Sequence, residues 1–99
     1  MSKENYELLK QFFGAYFHED WDLEAENPKE IVALYAADVA EDQRRAVGKA
    51  ILRYIDHVGD DTELKEKLFS ELGCYYTPDA DELAARDWLK RVAAQLLKS

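Results

Sequence analysis

The chain has little of the chemistry that announces an activity. Its 99 residues include one cysteine, Cys74, four glycines and two prolines. A single cysteine cannot close an internal disulfide, so a reducing, cytoplasmic setting is the simplest reading. No apolar run approaches the ~18 residues of a membrane span. The opening Met1-Ser2-Lys3-Glu4-Asn5 lacks the apolar core and cleavage site of a secretory signal. Bases are scarce too: 13 Lys and Arg against 21 Asp and Glu give a net charge of -8. Such a chain lacks the basic face that neutralises nucleic-acid phosphates or docks on anionic lipid. The expectation is therefore no nucleic acid and no membrane among its partners. There is no Gly-rich phosphate loop, internal repeat, low-complexity tract or Ser/Gly linker, which predicts one domain over residues 1–99.

What the chain does have is apolar and aromatic residues, 47% and 12% of the total, enough for a packed core. They recur with helical spacing. Leu9, Phe12, Phe13, Tyr16 and Phe17 form one stripe, predicting a helix from about Asn5 to Phe17. Gly14 inside it suits a close helix approach. Residues 18–22 are a polar turn with one anchoring Trp. Asn27-Pro28-Lys29-Glu30 is a helix start, with a capping Asn and Pro in the first position. Ile31, Leu34 and Tyr35 are expected to line that helix's buried face. A break follows near Asp38 to Asp42. A helix from about Glu41 then buries Val47, Ile51, Tyr54, Ile55 and Val58, and ends at Gly59. Asp60 is expected to cap the next helix, whose Leu64, Leu68 and Leu72 repeat every four residues with Phe69 beside them; Gly73 closes it. Residues 74–78 read as a connector in which Pro78 pushes Thr77 to an extended conformation. The last helix is expected to open at Asp79 to Glu82 and to bury Ala85, Trp88, Leu89, Val92, Leu96 and Leu97. The fold class is all-α, a compact bundle of about five helices with short connections.

The negative charge is concentrated. Residues 1–30 hold eight acids and three bases, and residues 59–73 hold five and two, while 31–58 and 74–99 are each balanced at four and four. Glu19, Asp20, Asp22, Glu24 and Glu26 form the denser run, and Asp60, Asp61 and Glu63 begin the other. Taken alone, these runs are either solvated turns and caps or a negative patch for a basic partner. His18, Glu19, Asp20 and Asp22 offer metal ligands, but their spacing fits neither an EF-hand nor a two-His zinc helix, so no metal is expected. Cys74 reads as a small buried apolar residue. As a nucleophile it would need His18 or His57 within reach, and His57 is already explained by a helix C-terminus. No enzyme activity and no cofactor are expected. Tyr75 and Tyr76 are either interface anchors, or one packs under the connector while the other is half exposed. Trp21 and Trp88 read as core.

Several groups of residues are familiar together: Tyr6-Glu7-Leu8-Leu9, then Gly14-Ala15-Tyr16-Phe17-His18-Glu19-Asp20-Trp21-Asp22, then Leu72-Gly73-Cys74-Tyr75-Tyr76-x-Pro78, and Trp88-Leu89. This order resembles the small helical immunity proteins of bacterial contact-dependent growth inhibition systems. The aromatic-His-acid-acid-Trp-Asp cluster is its most specific part, and roughly Ala36 to Lys67 carries no matching motif. The resemblance implies a protein that binds the C-terminal toxin domain of a contact-delivered effector in the cytoplasm and blocks it stoichiometrically. Many such toxins are nucleases with basic active sites, which an acidic inhibitor would match. It also implies that Tyr16, His18, Trp21, Gly73 and Trp88 maintain the fold. Specificity then falls on Glu24, Glu26, Asp60, Asp61 and Glu63, while Glu19, Asp20 and Asp22 belong to both motif and patch. The free protein is expected to be a monomer or weak dimer. The alternative is a small helical adaptor acting by self-association or partner binding.

Overall fold

The computed structural model describes residues 2–98; the ends of the predicted domain, Met1 and Ser99, lie outside the described residues. Six α-helices follow in order: α1 (Lys3–Tyr16), α2 (Trp21–Glu24), α3 (Pro28–Asp38), α4 (Glu41–Val58), α5 (Asp61–Ser70) and α6 (Ala85–Leu97). A 3₁₀ turn at Pro78–Asp81 precedes the last. No strand occurs among the described residues. The fold is thus all-α, with five long helices and a single-turn helix, α2, where the sequence pattern predicts a polar turn.

Local chemistry sets most boundaries. The Ser2 hydroxyl accepts the Asn5 N–H at 3.2 Å and starts α1. The Asn27 amide oxygen accepts the Glu30 N–H at 3.0 Å to start α3. Glu30 reaches back one residue further than a standard capping box, accepting the Glu26 N–H at 3.0 Å. Gly59, with φ +79°, ends α4 in a conformation that L side chains rarely adopt.

Helices α4 and α6 form the central pair and pack most extensively against each other; both also touch α3 and α5, and α1 packs on α4. The core joins Leu9, Phe12, Phe13 and Phe17 to Ile31, Tyr35, Val47, Ile51, Tyr54, Leu64, Leu68, Trp88, Leu89, Val92 and Leu96. Polar groups also tie the layers. Asn5 is buried and donates to the Ala50 carbonyl at 3.2 Å, fixing α1 on α4. Arg44 donates to the carbonyls of Leu96 and Lys98, and Arg45 to that of Leu97, so two α4 guanidiniums satisfy the free carbonyl end of α6.

Several expectations are corrected. Val32, not Leu34, joins Ile31 and Tyr35 in the core, and Leu34 is 45% exposed. Residues 31, 32 and 35 cluster within about 100° of helix arc, which leaves Leu34 on the flank. Asp60 precedes α5 without a side-chain cap bond. The last helix opens at Ala85, beyond the expected Asp79 to Glu82. Pro78–Asp81 closes into the 3₁₀ turn, and Glu82 takes a left-handed conformation at φ 59°. Leu97 at its end is only partly buried.

Candidate functional site: an acidic turn beside an aromatic connector

The site is built on an aromatic cluster. Phe17, the residue that ends α1, stands edge-on to Trp88 at 5.3 Å between ring centroids, and Tyr76 lies 4.8 Å from Trp88. Trp21, the first residue of α2, is edge-on to Tyr76 at 5.5 Å. These contacts hold the 18–26 turn against the 74–78 connector. The connector is extended and alternates strictly: Cys74, Tyr76 and Pro78 are buried, Tyr75 and Thr77 exposed. Gly73, at φ +73°, turns the chain out of α5 and lies close to Gly14 of α1. The Tyr75 N–H then donates to the Phe17 carbonyl at 2.8 Å, joining connector and turn through the backbone.

His18 shapes the turn. Its Nδ1 accepts the Asp20 N–H at 3.1 Å, which leaves the proton of the neutral ring on Nε2. Nε2 then donates to Glu24 at 3.3 Å. One imidazole thus spans both ends of the acidic segment. Tyr16 donates to Asp38 at 3.1 Å, holding the end of α1 on α3. Burial, then the Asp38 carboxylate, raises the pKa of that phenol.

The eight acids singled out by charge do not share one environment. Glu19, Asp20, Asp22, Glu26, Asp60 and Glu63 are exposed. Among the described residues their carboxylates form no hydrogen bond or ion pair. Glu24 is engaged by His18. Asp61 is part-buried and accepts the Arg86 N–H at 2.8 Å, so it serves the start of α6. Among the described residues no hydrogen bond or ion pair joins the two acidic runs directly. They are linked through a third that the balanced charge of residues 74–99 concealed: Asp79, Asp81 and Glu82, all exposed on the 3₁₀ turn. Trp21 packs on Tyr76, whose hydroxyl donates to Asp81, and Lys65 of α5 pairs with Asp79. The signal available in the sequence was local, three acids within four positions and no base among them.

Tyr75 and Tyr76 part company. Tyr76 is in the core, and burial followed by the Asp81 carboxylate raises its pKa. Tyr75 is 47% exposed and lies edge-on to Phe69, itself 52% exposed, at 5.1 Å. Phe69 was expected beside the leucines of α5. It sits about 100° around the helix from the centre of the Leu64-Leu68-Leu72 stripe, facing out. Trp88 is buried and Trp21 half-buried.

Cys74 is buried, its Sγ near the Tyr76 carbonyl, and burial pushes the thiol up to about 12. Neither His18 nor His57 contacts it among the described residues. No group of three or more His, Cys, Asp or Glu among the described residues is placed to hold a metal ion. No described helix is long and apolar enough to cross a membrane. A recess of about 720 Å3 opens between the first turn of α3, the connector and α6. Lys29, Arg91 and Lys98 line it together with Asp81 of the 3₁₀ turn.

Among the described residues the domain is all-helical, with exposed carboxylates that have no internal partner on the 18–26 turn and at the start of α5. Residues 5–96 match the CdiI immunity protein family, and the chain belongs to it. The fold is also similar to a chain in the crystal structure of the CdiA-CT/CdiI complex from Y. kristensenii, with a TM-score of 0.85 and 26% identity over 94% of each chain. Comparison with curated protein sequences gives no match.

Proposed function

We propose that this protein binds the toxin domain of a contact-dependent growth inhibition effector in the cytoplasm and neutralises it stoichiometrically, without catalysis or cofactor. The contact surface is the acidic one formed by the 18–26 turn, the 3₁₀ turn and the start of α5. Its target is a basic toxin cleft, as a nuclease needs for phosphates. Family membership and the likeness to a chain of a CdiA-CT/CdiI complex support the immunity role. The observation that carries the acidic surface is the set of six exposed carboxylates, without a partner among the described residues, on elements joined by the Trp21–Tyr76 and Lys65–Asp79 contacts. A carboxylate with no internal partner keeps its field for an incoming cation. Free in solution, a chain of net charge -8 repels its own copies and is at most a weak dimer.

The test is binding to the toxin domain encoded next to this chain, together with rescue of cells producing that domain. Glu19, Asp20, Asp22, Glu26, Asp60 and Glu63 are reversed to Lys. Glu24 and Asp61 are left alone, because their internal bonds would mix stability into the result. Association should slow by roughly tenfold or more and lose most of its salt dependence. An unchanged association rate moves the interface elsewhere. Failure of the unaltered protein both to bind and to rescue removes the immunity role.

A further inference from the structure

We propose that the exposed Phe69–Tyr75 pair is an apolar anchor of the toxin-binding face beside the acidic turn, and that the toxin group seated on it is a basic side chain. This rests on the toxin-binding role argued above, and it adds an anchor and the chemistry of its occupant. Most aromatic rings of the chain serve the core. Phe12, Phe13, Phe17, Tyr35, Tyr54, Tyr76 and Trp88 are buried, and Tyr6, Tyr16 and Trp21 pack against them. Phe69 and Tyr75 belong to neither set and touch only each other among the rings. A single exposed ring on a surface is ordinary, whereas two large rings held in contact form a patch.

The pair is also fixed in place. Phe69 stands on the last turn of α5, three residues before the Leu72 anchor in the core. Tyr75 is held by its backbone bond to Phe17. A ring ordered before contact loses little freedom on binding, and Tyr has only two side-chain torsions to fix. The bond to Phe17 also sets the neighbourhood. The next residues along that strand of chain are His18, Glu19 and Asp20, and the last two carry free carboxylates. A lysine or arginine can lay its stem or guanidinium on the Tyr75 ring and reach those carboxylates with its charge. A second copy of this chain is a poor occupant, since it would bring a net charge of -8 to an acidic turn. A basic toxin surface brings the matching sign.

The two parts of the face should differ in kinetics. Charge sets the rate of encounter, and desolvated anchors set the rate of escape. Phe69→Ala and Tyr75→Ala should each weaken binding to the toxin domain by roughly tenfold or more, mostly through faster dissociation. Tyr75→Phe keeps the ring and should stay within about twofold. Far-UV circular dichroism and melting should be nearly unchanged for all three, because both side chains lie outside the core. The sign of the occupant is read from a pair of variants: Tyr75→Lys should bind more weakly than Tyr75→Glu. Normal dissociation rates for both alanine variants overturn the anchor, while equal or stronger binding by Tyr75→Lys overturns the basic occupant. If the unaltered protein fails to bind the toxin domain, the immunity reading falls and this inference with it. Normal binding by the variants removes this inference alone.

Discussion

Replacing Gly48 with alanine sets two effects of known size against each other. Gly48 lies in the middle of α4, buried where that helix meets α6. Alanine in a helix interior is favoured over glycine by about 1 kcal/mol. A Cβ at this position would, however, stand 2.8 Å from Cγ of Leu97 and 3.3 Å from the carbonyl oxygen of Ala93. The first contact is relieved if the Leu97 side chain swings out. The second is backbone, and α6 cannot easily back away while Arg44 and Arg45 hold its last carbonyls. Overpacking of this kind costs about 1–3 kcal/mol, so a net loss near 1 kcal/mol is expected, or about 5 °C in Tm for a domain of this size. Gly14→Ala is the control. Nothing lies within 4 Å of a Cβ at Gly14, so the helix preference acts alone and Tm should rise by a similar amount. Thermal and urea unfolding of both variants provides the measurement. A Leu97→Ala background should shrink the cost of Gly48→Ala, since it removes the closer contact. If Gly48→Ala stabilises as much as Gly14→Ala, the close approach of α4 to α6 is wrong.

Two further outcomes follow from polar groups. Asp61→Ala should cost about 1–2 kcal/mol by urea unfolding, because it frees the Arg86 N–H at the start of α6 from a charged acceptor 2.8 Å away; Asp60→Ala, without such a bond, should change little. Alkaline pH should destabilise the protein. Burial raises the pKa of Tyr54 and Tyr76 and pushes Cys74 up to about 12. Raised pKa values mean that the folded state keeps protons the unfolded chain has released, so this contribution is complete below the unfolded values and is lost as pH climbs past them. Each such group then removes about 1.4 kcal/mol per pH unit. Urea midpoints at pH 8 and 10.5 test it, and Cys74→Ala should flatten the early part of the decline. A flat profile would refute the burial of these groups.

Where a helix boundary is decided by its own residues, the sequence reveals it. Asn27-Pro28 begins α3, and Gly59 stops α4, because capping and a left-handed backbone are local matters. Boundaries decided by distant partners stay hidden. The Asp79–Glu82 segment has the composition of a helix start, yet Lys65 pairs with Asp79, the Tyr76 hydroxyl bonds Asp81, and the chain closes a 3₁₀ turn instead. The same division runs through the site. The density of acids at 19–26 is plain in one dimension, but not that Asp61 is occupied by Arg86 or that Glu24 is held by His18. The alternation that separates Tyr75 from Tyr76 follows once the connector is known to be extended, and Pro78 gave the hint. Phe69 stands about 100° from the centre of the Leu64-Leu68-Leu72 stripe, an angle already contained in the sequence spacing. What no spacing could supply was the contact with Tyr75, which depends on how Gly73 turns the chain.

The way the 18–26 turn is fastened separates its shape from its charge. Phe17, His18, Trp21 and the backbone bond from Tyr75 hold the path of the chain. Glu19, Asp20, Asp22 and Glu26 contribute no side-chain bond to that path among the described residues. Their side chains can therefore be exchanged at little cost in folding free energy. Such a layout permits drift: the charge pattern of the turn can be rewritten many times over on an unaltered scaffold. Surface substitutions of this kind usually fall within ±0.5 kcal/mol, so stability would place almost no brake on such change.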